Sequence, residues 1–419
     1  MSLSNATTSR GQPAFAPVDW AATGASVERA IDAISSAELE RRRTAIRAAM
    51  RERGIDALVL QSNGDHVGGY VKYITDIPAI TDYAMSVVFP LEDAMTVVMH
   101  GPRGGDRAIP DLDDPVFRGA GRIITTASFA SVHYTREHDA RQALRALRGR
   151  ERATIGLVGT AQMSHAFAAA LHAGLPDATF VEASELVDAI KTVKSAEELA
   201  LLRRTCALQD EAMRRALAAI EPGRRDRDVA VAAFAATLEL GAEQGIVLCG
   251  SAPAGEPTLL SPPHLQGRTL REGDVLILLI ETNGPGGVYA ELGRTCVLGE
   301  PSAELVEETA FALEAQQFTV ELMRSGAAAA DVFAAYNAFM TANGRQPEDR
   351  LHAHGQGYDL VERPLIREDE QMTLASNVNL ACHPYFVARG ATGFMCDNFF
   401  VGRETAERLH RYPQELVTL

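Results

Sequence analysis

The sequence has little of what marks secreted or membrane-spanning proteins. Its five cysteines are scattered, odd in number and without a CxxC pair, so we expect free thiols in a reducing compartment and a cytoplasmic location. No apolar run approaches the length that crosses a bilayer, and the first residues lack a charged-then-apolar secretory pattern.

Basic residues are also in short supply. The chain has 40 Lys and Arg against 55 Asp and Glu, and no basic cluster offsets the net charge of −15. Such a chain is repelled by phosphate backbones and anionic headgroups, so we expect neither nucleic acid nor a membrane as partner. The expected partner is a small-molecule substrate.

What is present is typical of a globular protein. Hydrophobic residues make up 46% and charged residues 23%, and 419 residues are enough for two domains with separate cores. Residues 1–20 are polar and rich in small side chains, which indicates a mobile arm or an oligomer contact.

Helices and strands alternate in the first half, which predicts an α/β domain with a mixed sheet. The predicted helices and strands are a helix at 37–53 that ends at Gly54, strands at 55–60, 83–89, 95–100, 153–158 and 179–181, and a helix at 161–173.

The second half has a different hydrophobic pattern, which predicts long helices and longer strands. Its predicted elements are a long helical stretch at 183–220, helices at 226–240, 303–323 and 328–342, and strands at 275–280 and 288–298. We place the domain boundary near 188–194, which gives an N-terminal domain at 1–190 and a C-terminal domain at 191–419.

Short motifs in the second half occur in a characteristic order. They are Glu-Pro-Gly at 221–223, Pro263-His264, Gly273-Asp274, Glu-Leu-Gly-Arg-Thr at 291–295, His-Gly-Gln-Gly at 354–357, His383-Pro384 and Cys-Asp-Asn-Phe-Phe-Val at 396–401. Their order and spacing resemble the creatinase, prolidase and aminopeptidase ("pita-bread") family. The resemblance covers essentially the whole chain and implies a creatinase-like N-terminal domain and a pita-bread catalytic domain.

The family commonly holds two divalent metals with two aspartates, one histidine and two glutamates, and this chain departs from that set. The corresponding positions hold Leu279, Glu291, His354, His383 and Cys396, and a second family histidine is replaced by Val361. The resemblance therefore does not imply an active dinuclear peptidase. Glu281 lies two residues after Leu279, on the same face of a strand, and this shift resembles the dimethylsulfoniopropionate-lyase branch.

Two interpretations of the metal site stay open. Glu291, His354, His383 and Cys396 would suit a single divalent ion such as zinc, iron or manganese. Alternatively they form a metal-free acid/base site, as the resemblance to creatinase implies.

Other residues are candidates for catalysis or substrate binding. His264 stands where a family histidine reaches the substrate, and imidazole is suited to move a proton at neutral pH. Glu362 is expected to orient a cationic substrate group or a histidine, and Glu281, His383 and Tyr289 are expected to bind substrate. Arg294 is expected to pair with a carboxylate in the sheet, and His352 to be a satisfied structural histidine.

The leading hypothesis is a hydrolase that cleaves a C–N bond of a small nitrogenous or zwitterionic metabolite, with His264, Glu291 and His354 as catalytic residues. The alternatives are a metal-dependent Xaa-Pro dipeptidase or aminopeptidase, a lyase, and a non-catalytic binding protein. The resemblance also implies a homodimer, in which the glycine-rich segment around His66 would approach the partner's site.

Overall fold

The computed structural model describes residues 34–62, 64, 67–78, 83–112 and 114–419. The predicted arm at 1–20 and His66 lie outside the described residues. No helix within these ranges is both long and apolar enough to cross a bilayer.

The first half is a mixed sheet with helices packed against it. Its elements are α1 (Ser36–Arg53), β1 (Ala57–Ser62), α2 (Gly69–Thr75), β2 (Met85–Pro90), β3 (Met95–His100), β4 (Asp106–Ala108), β5 (Ala120–Thr126), α3 (Arg136–Ala146), β6 (Thr154–Val158), α4 (His165–Gly174), β7 (Thr179–Glu182) and α5 (Ser184–Lys191). The strands lie in the order β4-β5-β3-β2-β1-β6-β7. Strand β1 pairs antiparallel with β2 and parallel with β6, so the predicted mixed α/β sheet is confirmed.

Helix α1 shows how local signals set the element ends. Ser35 accepts a hydrogen bond from the backbone of Glu38, and Gly54 takes a left-handed conformation (φ 64°) that closes the helix as predicted. Its apolar face, which includes Ile46 and Met50, is buried in the main core of this half.

The predicted continuous helix at 183–220 is wrong. The chain forms α5 and then α6 (Ala196–Leu217), with a break between them. Ser195 and Glu198 form a reciprocal capping box, in which each side chain accepts a hydrogen bond from the other residue's backbone N–H. Because this capping box begins a new helix at Ala196, the chain does not continue as one helix despite the helical pattern of the flanking residues.

The second half contains two further sheets and a hairpin. Its elements are α7 (Asp226–Glu239), β8 (Gly245–Ala252), β9 (Val275–Asn283), β10 (Tyr289–Val297), α8 (Ala303–Leu322), α9 (Ala329–Ala342), β11 (Ala353–Gly355), β12 (Glu362–Leu365), β13 (Asn379–Cys382), β14 (Tyr385–Ala388), β15 (Ala391–Phe394), β16 (Asp397–Val401), β17 (Ala406–Arg408) and β18 (Val417–Thr418). One sheet has the order β18-β10-β9-β8, another the order β12-β11-β13-β16-β17, and β14 pairs with β15. The division at 190 and 191 stays a prediction.

Candidate active site

The floor of the site is built by the hairpin of β9 and β10. Glu281 and Glu291 are register partners on these antiparallel strands, so their side chains project from the same face of the sheet. Both are buried, with 7% and 4% of their surface exposed. Two buried carboxylates in such a position repel each other unless a proton or another cation neutralises one of them.

Two histidines approach from the neighbouring sheet. His354 lies on β11, and His383 directly follows β13, which pairs with β11. Ligand atoms of Glu291, His354 and His383 all lie within 4.8 Å of one another. The Oε2 atom of Glu291 is 3.5 Å from Nε2 of His354. The structure thus brings together three of the four residues that the sequence marked as metal-competent.

The tautomer of His354 decides what this contact can do. Its Nδ1 lies 2.9 Å from the carbonyl oxygen of Gly355, which can only accept, so Nδ1 carries the hydrogen. In the neutral ring, Nε2 then carries a lone pair that faces the Glu291 carboxylate. Oε2 of Glu291 has no hydrogen-bond partner among the described residues. Two acceptors that face each other in this way form a site for a cation.

Burial and charge set the protonation of the other groups. Burial and then the Glu291 charge raise the pKa of Glu281 well above its ordinary value, which favours its protonated form. Burial acts to raise the pKa of Glu291 as well, but the effects of His383 and His354 outweigh it and lower this pKa to about 2. Burial lowers the pKa of His383 to about 4, which leaves a neutral imidazole. An acid and a carboxylate therefore lie side by side.

A polar network that the sequence reasoning missed holds Glu281 in place. Gln356 donates from Nε2 to Oε1 of Glu281 at 3.0 Å. Asn398 donates to the side-chain oxygen of Gln356 at 2.9 Å and accepts the backbone N–H of Glu291 at 2.6 Å. A signal was available for Asn398, since it lies two residues after Cys396 in an extended segment and shares its face.

A cavity of about 840 Å³ opens above this floor. Glu281, Glu291, His354 and His383 all line it, together with a larger number of apolar side chains. Its size and its few convergent polar groups are typical of a small-molecule site.

The part of the floor that the family resemblance assigns to the second metal is apolar. Leu279 lines the cavity and packs with Ile277, Phe394 and Cys396. The Cys396 thiol lies 3.6 Å from the backbone oxygen of Glu291, and burial followed by the Glu291 charge raises the pKa of this thiol well above its ordinary value. Cys396 thus lies beside the three-residue cluster, whose converging ligand atoms come from Glu291, His354 and His383.

Besides Cys396, three candidate residues from the sequence do not line this cavity: His264, Tyr289 and Glu362. His264 lies on an exposed 3₁₀ turn (Pro263–Leu265), which Arg227 holds by donating to the Pro263 carbonyl at 2.8 Å. Tyr289 is buried and lines a separate small cavity. Their roles in proton transfer and substrate binding stay predictions.

Glu362 also has a different environment from the one expected. It forms salt bridges of 2.9 Å with both Lys191 and Lys194, and these three residues are buried. It also accepts the backbone N–H groups of Tyr358 and Asp359. The carboxylate of Glu362 is thus occupied by two lysines and anchors the loop that follows His354 to the connection between α5 and α6. Its expected role in orienting a substrate or a histidine stays a prediction.

The expectation for Arg294 agrees with the structure and that for His352 only in part. Arg294 donates to the Asp397 carboxylate at 2.9 Å within the sheet. His352 is buried and stacks on Tyr336 with ring centroids 3.6 Å apart. Neither of its ring nitrogens has a hydrogen-bond partner among the described residues, so His352 is structural but not satisfied.

The residues fit one divalent ion and do not fit two. Ligands about 2.0–2.1 Å from a tetrahedral ion lie roughly 3.4 Å apart, close to the 3.5 Å between Glu291 Oε2 and His354 Nε2. His383 would supply a third ligand, and two histidines with one carboxylate form a familiar set for zinc or iron. A second ion would have to lie against Leu279, an aliphatic side chain that provides no ligand.

Two family models match the chain. One, for metallopeptidase family M24, matches residues 200–403, and the other, for the creatinase/prolidase N-terminal domain, matches residues 42–193. The chain belongs to the creatinase/prolidase family. It is thus a divergent member of a hydrolase family, and the resemblance seen in the sequence is confirmed.

The relatives of this creatinase/prolidase family member are named as different enzymes. A "probable dipeptidase PepE" from Mycobacterium tuberculosis is 28% identical over 246 residues, which are 57% of this chain and 64% of that protein. The match thus spans less than two thirds of that relative. An ectoine hydrolase from Halomonas elongata is 29% identical over 205 residues, which are 45% of this chain and 50% of that protein.

The pita-bread fold is confirmed by a solved structure. The prolidase from Thermococcus sibiricus matches with a TM-score of 0.74 over 93% of this chain and 100% of that one, at 17% identity. At this identity the likeness concerns the fold alone.

Proposed function

We propose that this chain is a hydrolase that cleaves a C–N bond in a small nitrogen-containing substrate, at a site that holds at most one divalent ion. The observation that carries the proposal is the convergence of Glu291, His354 and His383 beside Glu281 at the floor of a cavity. A carboxylate that holds a proton next to a set of acceptors is the arrangement that amide hydrolysis needs, because one group must receive a proton and another must give one.

Different residues accept and donate the protons that this reaction needs. Glu291 and His354 present acceptor atoms that orient a water and take a proton from it as its oxygen attacks the substrate carbon. Glu281 gives its proton to the leaving nitrogen as the C–N bond breaks, and the proton taken from water restores it. Gln356 keeps Glu281 in position. A divalent ion bound by Glu291, His354 and His383 would polarise the bond under attack and make the water more acidic.

Metal content and labelled water test this proposal. Protein purified without added ions should contain at most one equivalent of divalent metal per chain, measured by plasma mass spectrometry. Turnover in water enriched in oxygen-18 should place one labelled oxygen in the acyl product, because hydrolysis adds a water oxygen and elimination does not. Two equivalents of metal, or product without label, would contradict the proposal.

A second candidate function is an Xaa-Pro dipeptidase, which the names of the compared proteins favour. With Leu279 in the floor, two ions about 3.5–4 Å apart cannot be held in the usual way. We therefore expect Xaa-Pro dipeptides with added manganese or cobalt to be turned over slowly, in an assay of released proline. Fast, metal-stimulated release would rank this candidate first.

The homodimer expected from the sequence stays a prediction. A dimer mass by light scattering at micromolar concentration would support it, and a monomer mass would remove it.

A further inference from the structure

The lining of the cavity divides into two chemically different parts. One wall is apolar and is formed by side chains of β8, β9 and the segments beside them, among them Ile246, Leu248, Leu260, Tyr385 and Phe394. A polar metabolite gains nothing from such a wall, since its polar groups would lose water without finding partners. An apolar substituent of the substrate would gain from it.

The rim of the cavity carries a single arginine, Arg350, between two acidic residues, Glu348 and Asp349. Arg350 is the only arginine or lysine among the residues that line the cavity. Nearby arginines are paired: Arg345 with Glu308, Arg363 with Glu370 and Arg367 with Asp369. Within the described part of the chain, the Arg350 guanidinium has neither a hydrogen bond nor a salt bridge.

The backbone that carries Arg350 is well anchored. Its N–H donates to a Glu348 carboxylate oxygen at 2.7 Å, and its carbonyl accepts from Arg367 at 2.9 Å. Asn337 on α9 holds Glu348 through both of its backbone polar groups, at 2.8 and 2.9 Å. A fixed backbone therefore presents an unpaired cation to the cavity.

The guanidinium of Arg350 is the only arginine or lysine cation in the lining, and Glu348 and Asp349 flank it there. Glu281 and Glu291 make the floor a poor place for an anion, and a Glu348 carboxylate oxygen is already engaged with the Arg350 backbone N–H. A substrate carboxylate at the rim would therefore meet the Arg350 guanidinium, in the bidentate geometry that arginine favours. An amide between these two places would lie over the catalytic groups.

From this division we infer that the substrate is an N-acyl amino acid or a related amide, with a free carboxylate bound by Arg350 and a bulky apolar side chain against the β8–β9 wall. This inference rests on the proposed C–N hydrolysis and names its substrate class. Arg350 and the apolar wall are then the determinants of specificity.

Binding of matched probes tests the inference without turnover. Calorimetric titration of the purified protein should compare N-acetyl-L-leucine, N-acetyl-L-leucinamide and N-acetylglycine. The first should bind at least about 10-fold more tightly than the amide, since a charged hydrogen bond is worth roughly this factor or more. It should also bind at least about 10-fold more tightly than N-acetylglycine, since burial of a leucine side chain is worth about as much. Equal binding of the acid and the amide, or no binding of any probe, would overturn the inference.

Variants assign the two determinants. Arg350→Gln should remove the preference for acid over amide and keep the preference for leucine over glycine. Arg350→Lys should keep part of the preference for acid over amide. Leu260→Asn should weaken only the preference for leucine over glycine and leave the preference for acid over amide unchanged. Arg403→Gln, at an exposed position outside the cavity, is the control and should change neither. An Arg350→Gln protein that still prefers the acid 10-fold would show that the carboxylate binds elsewhere.

These results separate the inference from the proposed function. If the probes bind as expected but labelled water gives no labelled product, the binding site stands and the hydrolase proposal fails. If hydrolysis is found but the acid has no advantage over the amide, the substrate class is wrong and the reaction stands.

Discussion

Replacing Glu291 by glutamine should lower kcat/KM by about 100- to 10,000-fold while leaving the fold intact, because a positioned proton-transfer group typically supplies a factor of this size. The measurement is kcat/KM for the substrate identified by oxygen-18 labelling. Glutamine has the shape of glutamate but no charge, so it weakens both the acceptor that faces His354 and any metal site.

Thermal stability distinguishes this catalytic role from a structural one. Glu291 faces Glu281, and its Oε2 has no hydrogen-bond partner among the described residues. Its lowered pKa nevertheless shows that the folded state favours the charged form, so removing the charge should lower the melting temperature, though by less than the loss of a doubly paired carboxylate such as Glu362 does. The melting temperature is measured after treatment with a chelator so that metal binding does not contribute. The control is Glu243→Gln, an exposed glutamate outside the cavity, which should change neither quantity. A loss of stability as large as that of Glu362→Gln would mean that the loss of activity reflects a structural role of Glu291.

Replacing Glu362 by glutamine should lower the free energy of unfolding by about 3–5 kcal/mol at pH 7, because removal of one partner leaves buried charge uncompensated. Lys194 would lose its carboxylate partner, and Lys191 would keep only Asp359, which lies 3.0 Å away. Urea unfolding measures the change. Glu407→Gln breaks an exposed pair with Arg203 and should have no measurable effect.

The difference in free energy of unfolding between the wild type and Glu362→Gln should decrease as the pH falls. The charges of Lys191 and Lys194 outweigh burial and lower the pKa of Glu362 from 4.5 to about 2. Its stabilising contribution is therefore complete above about pH 4.5 and falls as the pH drops towards 2, since the unfolded chain takes up the proton first. The wild type and Glu362→Gln should converge in stability over this range. Parallel curves, or a loss under about 1 kcal/mol at pH 7, would contradict the structural assignment of the cluster.

Elements with strong local signals were predicted well from the sequence. The helix before Gly54 and the hairpin around 283–287 follow from capping and turn chemistry, which act over a few residues. The break between α5 and α6 was missed because the capping box at Ser195 was read as part of a continuous helical pattern.

The site divides in the same way. Glu281, Glu291, His354 and His383 could be found because motif order and strand alternation mark their positions in the chain. Strand alternation also offered a signal for Asn398, which shares a face with Cys396. Arg350 and Gln356 could not be found in that way, because their importance depends on contacts between segments far apart in sequence.

The sequence by itself determined the family, the alternation of helices and strands, and the replacement of family metal ligands by Leu279 and Cys396. These properties depend on which residue types occur and how they are spaced. Tertiary structure alone decided that Glu281 faces Glu291, that Glu362 is occupied by two lysines, and that Arg350 is left unpaired at the cavity rim. The physical reason is that charge pairing and pKa depend on distance and burial in space, and sequence spacing determines neither.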